Sequence, residues 1–196
     1  EADFHSIVSE MAGIPRSQAK TINLGLFYGM GKNKLQAELG TNKQDAEDLF
    51  TKYHSRVPFV KQLMNAVMQR AQDSGRVRTL LGRLCRFHLW EPNQFGIHKP
   101  LPHEAALAEH GPGIKRAYTY KALNKLIQGS AADMTKKAMI ELYKEGIVPH
   151  IQVHDELDIS VSDNSDKIKE IMEHAVNLEV PNKVDYEHGN NWGSIK

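Results

Sequence analysis

Arg16-Ser-Gln-Ala-Lys20-Thr-Ile-Asn-Leu24-Gly25-Leu-Phe-Tyr28-Gly29-Met-Gly31 is the stretch from which the rest of the chain can be read. Pro15 suits a first helical turn, and Gly29 and Gly31 suit a helix end, so the spacing predicts a helix over about 14–31. Within it Arg16, Lys20, Leu24 and Tyr28 recur every four residues and form one slowly turning ridge. Two cations, an apolar platform and an aromatic ring suit a ligand with phosphates at one end and a flat base at the other. Gly25 and Gly29 lie on another flank, where hydrogen side chains admit close approach by a second body. The same pattern also fits an amphipathic core helix with two solvated cations. The stretch alone leaves both readings open.

Outward from it, 196 residues at 40% hydrophobic content suffice for one good core or two small lobes. No apolar run approaches membrane-spanning length, and no signal-peptide pattern is present. The single cysteine, Cys85, excludes an internal disulfide and a cysteine-rich zinc site, and fits a reducing compartment. The text begins abruptly at Glu1 rather than at a methionine, so the expectation is a chain that starts inside a longer protein. Net charge is +1, but its distribution is uneven. Arg56 to Arg86 carries seven cations against Asp73 alone, whereas Asp155 to Glu187 carries ten acids against three lysines. A basic first half and an acidic tail fit one lobe facing a polyanion and another holding cations, or two faces that attract each other.

The remaining helices follow from apolar spacing. Residues 3–12 read as a helix with Ile7, Val8 and Met11 on one side. Thr41 to Gln44 reads as a capping box for a helix through Tyr53, with Ala46, Leu49, Phe50 and Tyr53 sharing a face. Pro58 opens another helix, with Phe59, Leu63, Val67 and Ala71 expected inward and an end near Gly75. Arg76 to Leu89 changes period and reads as two short strands around a glycine turn at Gly82. The stretch 91–113, rich in Pro, Gly and His, reads as irregular, with at most one helical turn around Ala105 to Ala108. Its His98, His103 and His110 with Glu104 and Glu109 match no zinc spacing. A long helix is expected from about Lys115 to Tyr143, buried along Leu123, Leu126, Ile127, Met134, Ala138 and Leu142. Asn124 and Gln128 lie one turn apart on it, beside the small Gly129 and Ser130.

Pro149 to Val161 alternates apolar and polar residues and reads as two strands, with Asp155-Glu156 at or beside a tight turn. Adjacent carboxylates repel, and a divalent cation, which seeks hard oxygen donors, would relieve the repulsion. A solvated turn is the plainer reading. An amphipathic helix through Ile168, Ile171, Met172 and Ala175 and a strand near Lys183 to Glu187 complete the pattern.

Taken together, these motifs resemble family A, or bacterial DNA polymerase I-like, DNA polymerases, with wording closest to bacteriophage members. The family's motif B, an arginine, a lysine four on, then Tyr-Gly, is matched by Arg16, Lys20 and Tyr28-Gly29. Its motif C, His-Asp-Glu on a hairpin, is matched by His154-Asp155-Glu156. Asn124 to Asp133 resembles the family's Asn-to-Gln helix, Thr79-Leu-Leu-Gly-Arg83 its Gly-Arg turn, and Asn191-Trp192 its chain end. The resemblance spans nearly the whole chain, the histidine-rich stretch 91–113 being the region it leaves unplaced.

The resemblance implies an α+β fold: a mostly helical fingers subdomain over 1–112, then the later part of a palm over 113–196, with a small antiparallel sheet and a motif C hairpin at about 150–161. It implies a DNA-directed DNA polymerase that binds primer-template DNA and dNTP in a cytoplasmic setting. Arg16, Lys20 and His5 would contact the triphosphate, Leu24 would line the sugar, and Tyr28 would stack near the templating base. Asn124 and Gln128 would touch the minor groove, Arg83 the DNA backbone, and His154 the primer end. Asp155, with Glu156, would hold magnesium, two ions lying about 3.5–4 Å apart in such sites; together with Lys20 they are the expected catalytic residues. Nothing in the chain resembles the family's motif A, which carries the other catalytic aspartate, nor its thumb. The metal site is therefore expected to be incomplete here, the isolated chain inactive, and the missing portion a partner in the same or a separate chain. Leu24 departs from the family's usual aromatic residue. Two other readings compete: a non-catalytic nucleotide- and nucleic-acid-binding subunit of a split polymerase, and a metal-dependent phosphodiesterase using His154, Asp155 and the loop histidines.

Overall fold

The computed structural model describes residues 4–94, 96–160 and 164–195. It is an α+β chain whose backbone divides into two compact units: residues 1–77 with 84–125, and residues 78–83 with 126–196. This division runs differently from the functional boundary expected near residue 112.

The first unit is built on helices α1 (Phe4–Ala12), α2 (Arg16–Phe27), α3 (Lys32–Leu39), α4 (Lys43–Arg56) and α5 (Pro58–Ser74). Its core joins Val8 of α1, Ala19, Ile22 and Leu26 of α2, Leu35 of α3, Leu49 and Tyr53 of α4, and Val57 and Val60. α3 is an addition to the sequence reading, fastened by Leu35 alone among its buried residues. α4 starts one residue later than the expected box. Asn42 is its N-cap and accepts from the Asp45 N–H at 2.9 Å, while Thr41 donates to the Asp45 carboxylate at 2.9 Å. In α5 the inward stripe is Val60, Val67 and Ala71; Phe59 and Leu63, expected inside, are exposed. Val67 and Ala71 are inward as expected, whereas in the first turns of the helix Val60 takes the inward place in the core instead of Phe59 and Leu63.

Strands β1 (Arg76–Arg78) and β2 (Leu84–Arg86) pair as expected. The stretch 91–113 is more ordered than its composition predicts. β3 (Leu89–Pro92) is the centre of an antiparallel sheet between β4 (Leu101–Pro102) and β5 (Ile114–Arg116), and α6 (His103–His110) makes two turns rather than one. The long helix α7 (Ala122–Lys144) consequently starts later than Lys115. Lys115 and Arg116 are taken up opposite Glu91 and Trp90 in the sheet, and Tyr118, at φ 61°, breaks the helical path before a short 3-10 turn.

The second unit holds most of α7, a hairpin of β6 (Ile151–Val153) and β7 (Glu156–Asp158), helix α8 (Ser165–His174) and a terminal 3-10 turn at Trp192–Ser194. Ala138, Leu142 and Ile168 are its buried apolar side chains in this region. A cleft of about 1300 Å³ remains, lined by Met134 and Thr135 of α7, Leu157 of the hairpin, Ile168 and Met172 of α8, and Tyr186. Residues 183–187, expected as a strand, join no ladder among the described residues. The Val184 N–H instead donates to the Glu173 carboxylate of α8 at 3.0 Å. Val161, expected in the second strand of the hairpin, lies outside the described residues.

Candidate functional site

α2 sorts its side chains by flank. Ala19, Ile22, Asn23 and Leu26, spaced as one helical face, are buried, while Arg16, Lys20 and Leu24 are exposed. The helix begins after Pro15, whose carbonyl accepts from the Ala19 N–H at 2.9 Å. It ends at Tyr28, whose N–H reaches the Leu24 carbonyl, and Gly29 then takes φ 86°, a left-handed turn that suits glycine. The Tyr28 ring is half-buried and stands edge-on to Phe27 at 5.5 Å between centroids. The bodies that approach the two glycines are the chain's own methionines: a Cβ on Gly25 would meet the Met30 side chain and one on Gly29 would meet Met64 Sδ. The ridge therefore combines a packed back with a polar front. Among the described residues Lys20 makes no hydrogen bond or ion pair.

His5 reaches α2 from α1. Its Nδ1 lies 2.9 Å from Asn23 Nδ2, and the Tyr53 hydroxyl of α4 donates to Asn23 Oδ1 at 2.9 Å. Burial pushes the Tyr53 phenol up from 10.0 to about 12. Sequence reading named His5 as a phosphate contact and Tyr53 as a residue of an apolar helix face, but did not join either of them to Asn23. The signal was available: Asn23 is the one amide within the buried apolar spacing of α2.

The hairpin register pairs Ile151 with Asp158, Gln152 with Leu157 and Val153 with Glu156, so His154 and Asp155 form a two-residue turn. His154 sits at φ 55°, a conformation that favours glycine and costs a histidine on the order of 1 kcal/mol. Asp155 is exposed and makes no hydrogen bond or ion pair among the described residues. Glu156 begins β7 and accepts from the Trp192 indole N–H at 3.4 Å. Asp158, two residues on and so on the same strand face, has Oδ2 buried without a hydrogen-bond partner. Asp155 and Glu156 are hard oxygen donors of the kind magnesium takes, so their chemistry fits such an ion. The described residues hold no group of three or more metal-ligating side chains, and magnesium commonly takes one or two carboxylates beside water and phosphate oxygens. The loop histidines likewise form no such group; His98 and His110 face each other at 6.3 Å, and His103 packs on Trp90.

Arg83, expected on the DNA backbone, is held by its own unit. Its Nε donates to Asp133 Oδ1 at 2.7 Å and its Nη2 to the Gly129 carbonyl at 2.8 Å. Thr79 donates to the other Asp133 oxygen at 2.5 Å, and the Leu80 N–H reaches Ser130 Oγ. These bonds pin the 79–83 turn to α7. Burial pushes the Asp133 carboxyl up, but the Thr79 hydroxyl and the Arg83 guanidinium outweigh it and hold the group below its usual 3.8. Asn124 and Gln128 stand one turn apart on α7, and neither side chain makes a hydrogen bond among the described residues.

The family model for DNA polymerase family A matches residues 2–194. A DNA-directed DNA polymerase of Pseudomonas phage M6 is 33% identical over 97% of this chain and 31% of its own length. DNA polymerase I of Geobacillus stearothermophilus is 32% identical over 98% of this chain and 21% of its own length. The POL domain of Pol1 from M. smegmatis, solved in complex with DNA primer-template and dNTP, shares 28% identity at a TM-score of 0.67, over 91% of this chain and 32% of that one. The chain thus spans between about a fifth and a third of the length of these relatives.

Proposed function

Because the chain belongs to DNA polymerase family A, we propose that it is the fingers and later-palm part (about 1–112 and 113–196) of a template-directed DNA polymerase, and that its two units carry different parts of one nucleotidyl transfer. The observation that carries this reading is the sorting of α2, which buries its apolar flank and leaves Arg16, Lys20 and Leu24 at the surface. An amphipathic core helix also carries solvated cations, but here the two cations and the exposed Leu24 align at four-residue spacing on one ridge.

In this reading Arg16, Lys20 and His5 bind the triphosphate of an incoming dNTP through charge-assisted hydrogen bonds. Lys20, without another partner in the described chain, stabilises the negative charge that builds on the leaving pyrophosphate. Leu24 keeps an apolar wall beside the sugar, and Tyr28 lies by the templating base. Asn124 and Gln128, both uncommitted on α7, offer amide groups to the minor groove of a primer-template duplex, and His154 lies near the primer end. Arg83 acts on DNA chiefly by fixing the 79–83 turn, flanked by Arg78 and Arg86, against α7. Asp155 and Glu156 would be the chain's ligands for magnesium, which when bound activates the attacking 3′-hydroxyl and stabilises the departing phosphate oxygen.

Two-metal transfer takes carboxylates from two places in a chain, and among the described residues one hairpin offers them. The isolated 196-residue chain is therefore expected to bind dNTP and primer-template and not to extend primers. A primer-extension assay with magnesium tests both halves. The polymerase that contains this chain should extend, and the chain alone should bind with a salt-dependent affinity that falls for Lys20→Ala and survives Asp155→Ala. Robust synthesis by the isolated chain would overturn the incomplete-site reading. Binding indifferent to Lys20 would overturn the role of the ridge.

A further inference from the structure

His5, Asn23 and Tyr53 come from three helices and meet within the core of the first unit. Asn23 is 3% exposed and Tyr53 1%. A buried amide costs stability unless both its ends are satisfied, and here one end faces a phenol and the other an imidazole. Among the described residues Asn23 is the one hydrogen-bond partner of the Tyr53 hydroxyl. If that hydroxyl accepted from the amide N–H, its own proton would be buried without an acceptor. It therefore donates, which turns Oδ1 of Asn23 to Tyr53 and Nδ2 to His5. An amide N–H can be received at Nδ1 only when that nitrogen carries no proton, so the neutral ring keeps its proton on Nε2.

We propose that Asn23 and Tyr53 are positioning residues that hold His5 as an Nε2–H donor toward the phosphates of a bound nucleotide. This rests on the reading of His5 as a phosphate contact. In the opposite tautomer Nε2 would turn a lone pair toward phosphate oxygens and repel them. The relay selects the useful form before the nucleotide arrives, from side chains buried in the core, Asn23 and Tyr53. With its pKa pushed up to about 12 by burial, the Tyr53 hydroxyl keeps its proton through neutral and mildly alkaline conditions, so the direction of donation does not change there.

Nitrogen NMR of the histidine rings in the 196-residue chain reads the tautomer. In mildly alkaline buffer His5 should show a bare Nδ1 and a protonated Nε2. Asn23→Asp presents oxygen to both neighbours and should move the ring proton to Nδ1. Tyr53→Phe, which removes one buried oxygen and keeps the ring, should leave the amide free to turn and give a mixture. In the polymerase that contains this chain, both changes should raise the dNTP KM about tenfold, the equivalent of one charge-assisted hydrogen bond, with kcat moving less. An unchanged His5 tautomer in both variants overturns the proposal. So does a shifted tautomer with unchanged KM where His5→Ala itself raises KM. If His5→Ala leaves KM unchanged, the phosphate role of His5 fails and the positioning role falls with it, separately from the NMR result.

Discussion

In the first unit nine buried residues from Val8 to Val60 close a core behind α2, so the exposed ridge stands on a helix whose other flank is fixed. In the second unit the hairpin has strands of three residues each and borders a cleft of about 1300 Å³. A two-stranded hairpin is at best marginally stable by itself. The turn carboxylates are thus held by local geometry: the register of β6 with β7, the left-handed His154, and the Trp192 bond to Glu156. One set of proposed ligand groups is placed by packing, the other by a turn and a few polar bonds. Substitutions should reveal that difference, because packing fails by cavity formation and a turn by lost directionality.

The largest effect should come at the hairpin tip and be chemical. If the chain is part of a polymerase as proposed, Asp155→Asn in that polymerase should lower primer extension about 10³-fold, as for removal of a group that stabilises charge in the transition state. Primer-template affinity should stay nearly constant. Single-turnover rates with a gel-shift control measure both, and equal losses in binding and rate would mean that Asp155 supports the fold and not the chemistry.

The next contrast is in packing. Leu26→Ala, in the closed core at 0% exposure, should cost about 2–5 kcal/mol, while Met172→Ala, half-buried beside the cleft, should fall below that range because little new cavity is created. Urea unfolding followed by residue-resolved hydrogen exchange separates the two units. Equal costs would break the contrast between closed and open packing.

The units should also weaken at opposite ends of the pH scale. Asp133 has a lowered pKa in the fold, so its unfolded form binds protons more readily. Its stabilisation is complete above the ordinary value of 3.8 and is lost as pH falls through the lowered value. Tyr53 is raised from 10.0 to about 12, so the unfolded phenol ionises first. Its stabilisation is complete below 10 and should fall by about 1.4 kcal/mol per pH unit from there toward 12. Asp133→Asn should flatten the acid limb for residues of the second unit, and Tyr53→Phe the alkaline limb for the first. Hydrogen exchange across pH detects each, and a limb that persists in its variant belongs to another group.

Much of this organisation was legible from spacing, and the misreadings have physical causes. The four-residue recurrence from Arg16 to Tyr28 located α2 and its exposed flank because a long helix averages over many side chains. The hairpin was legible because alternation and a two-residue turn are both local. What local pattern could not supply was competition from elsewhere in the fold. Lys115 and Arg116 look helical until Glu91 and Trp90 offer them a strand partner. Lys183 to Glu187 alternates like a strand, yet a Glu173 oxygen takes the Val184 N–H. At the site, Arg83 reads as a free basic residue because its carboxylate lies fifty residues on. Asn23 was visible as a polar residue on an apolar flank, but its partners in α1 and α4 were not.

The smallest effect should separate the turn from what supports it. Trp192 is 52% exposed, and its indole N–H reaches Glu156 Oε1 at 3.4 Å, a long bond at the surface. Trp192→Phe keeps an aromatic body and removes that donor, so the loss should be at most about 0.5–1 kcal/mol. Global stability is the wrong readout for so small a term. The bond holds one oxygen of the residue that begins β7 beside the Asp155 turn, so its loss should appear as faster amide exchange over Val153 to Glu156, with the core of the first unit unchanged. If exchange there is unaltered, Trp192 is only a neighbour of the hairpin, and the register and the strained His154 alone hold Glu156 in place. If exchange rises across the whole of β6 and β7, the terminal turn supports the hairpin as a body, and the contrast between a packed ridge and a thinly supported carboxylate pair becomes sharper.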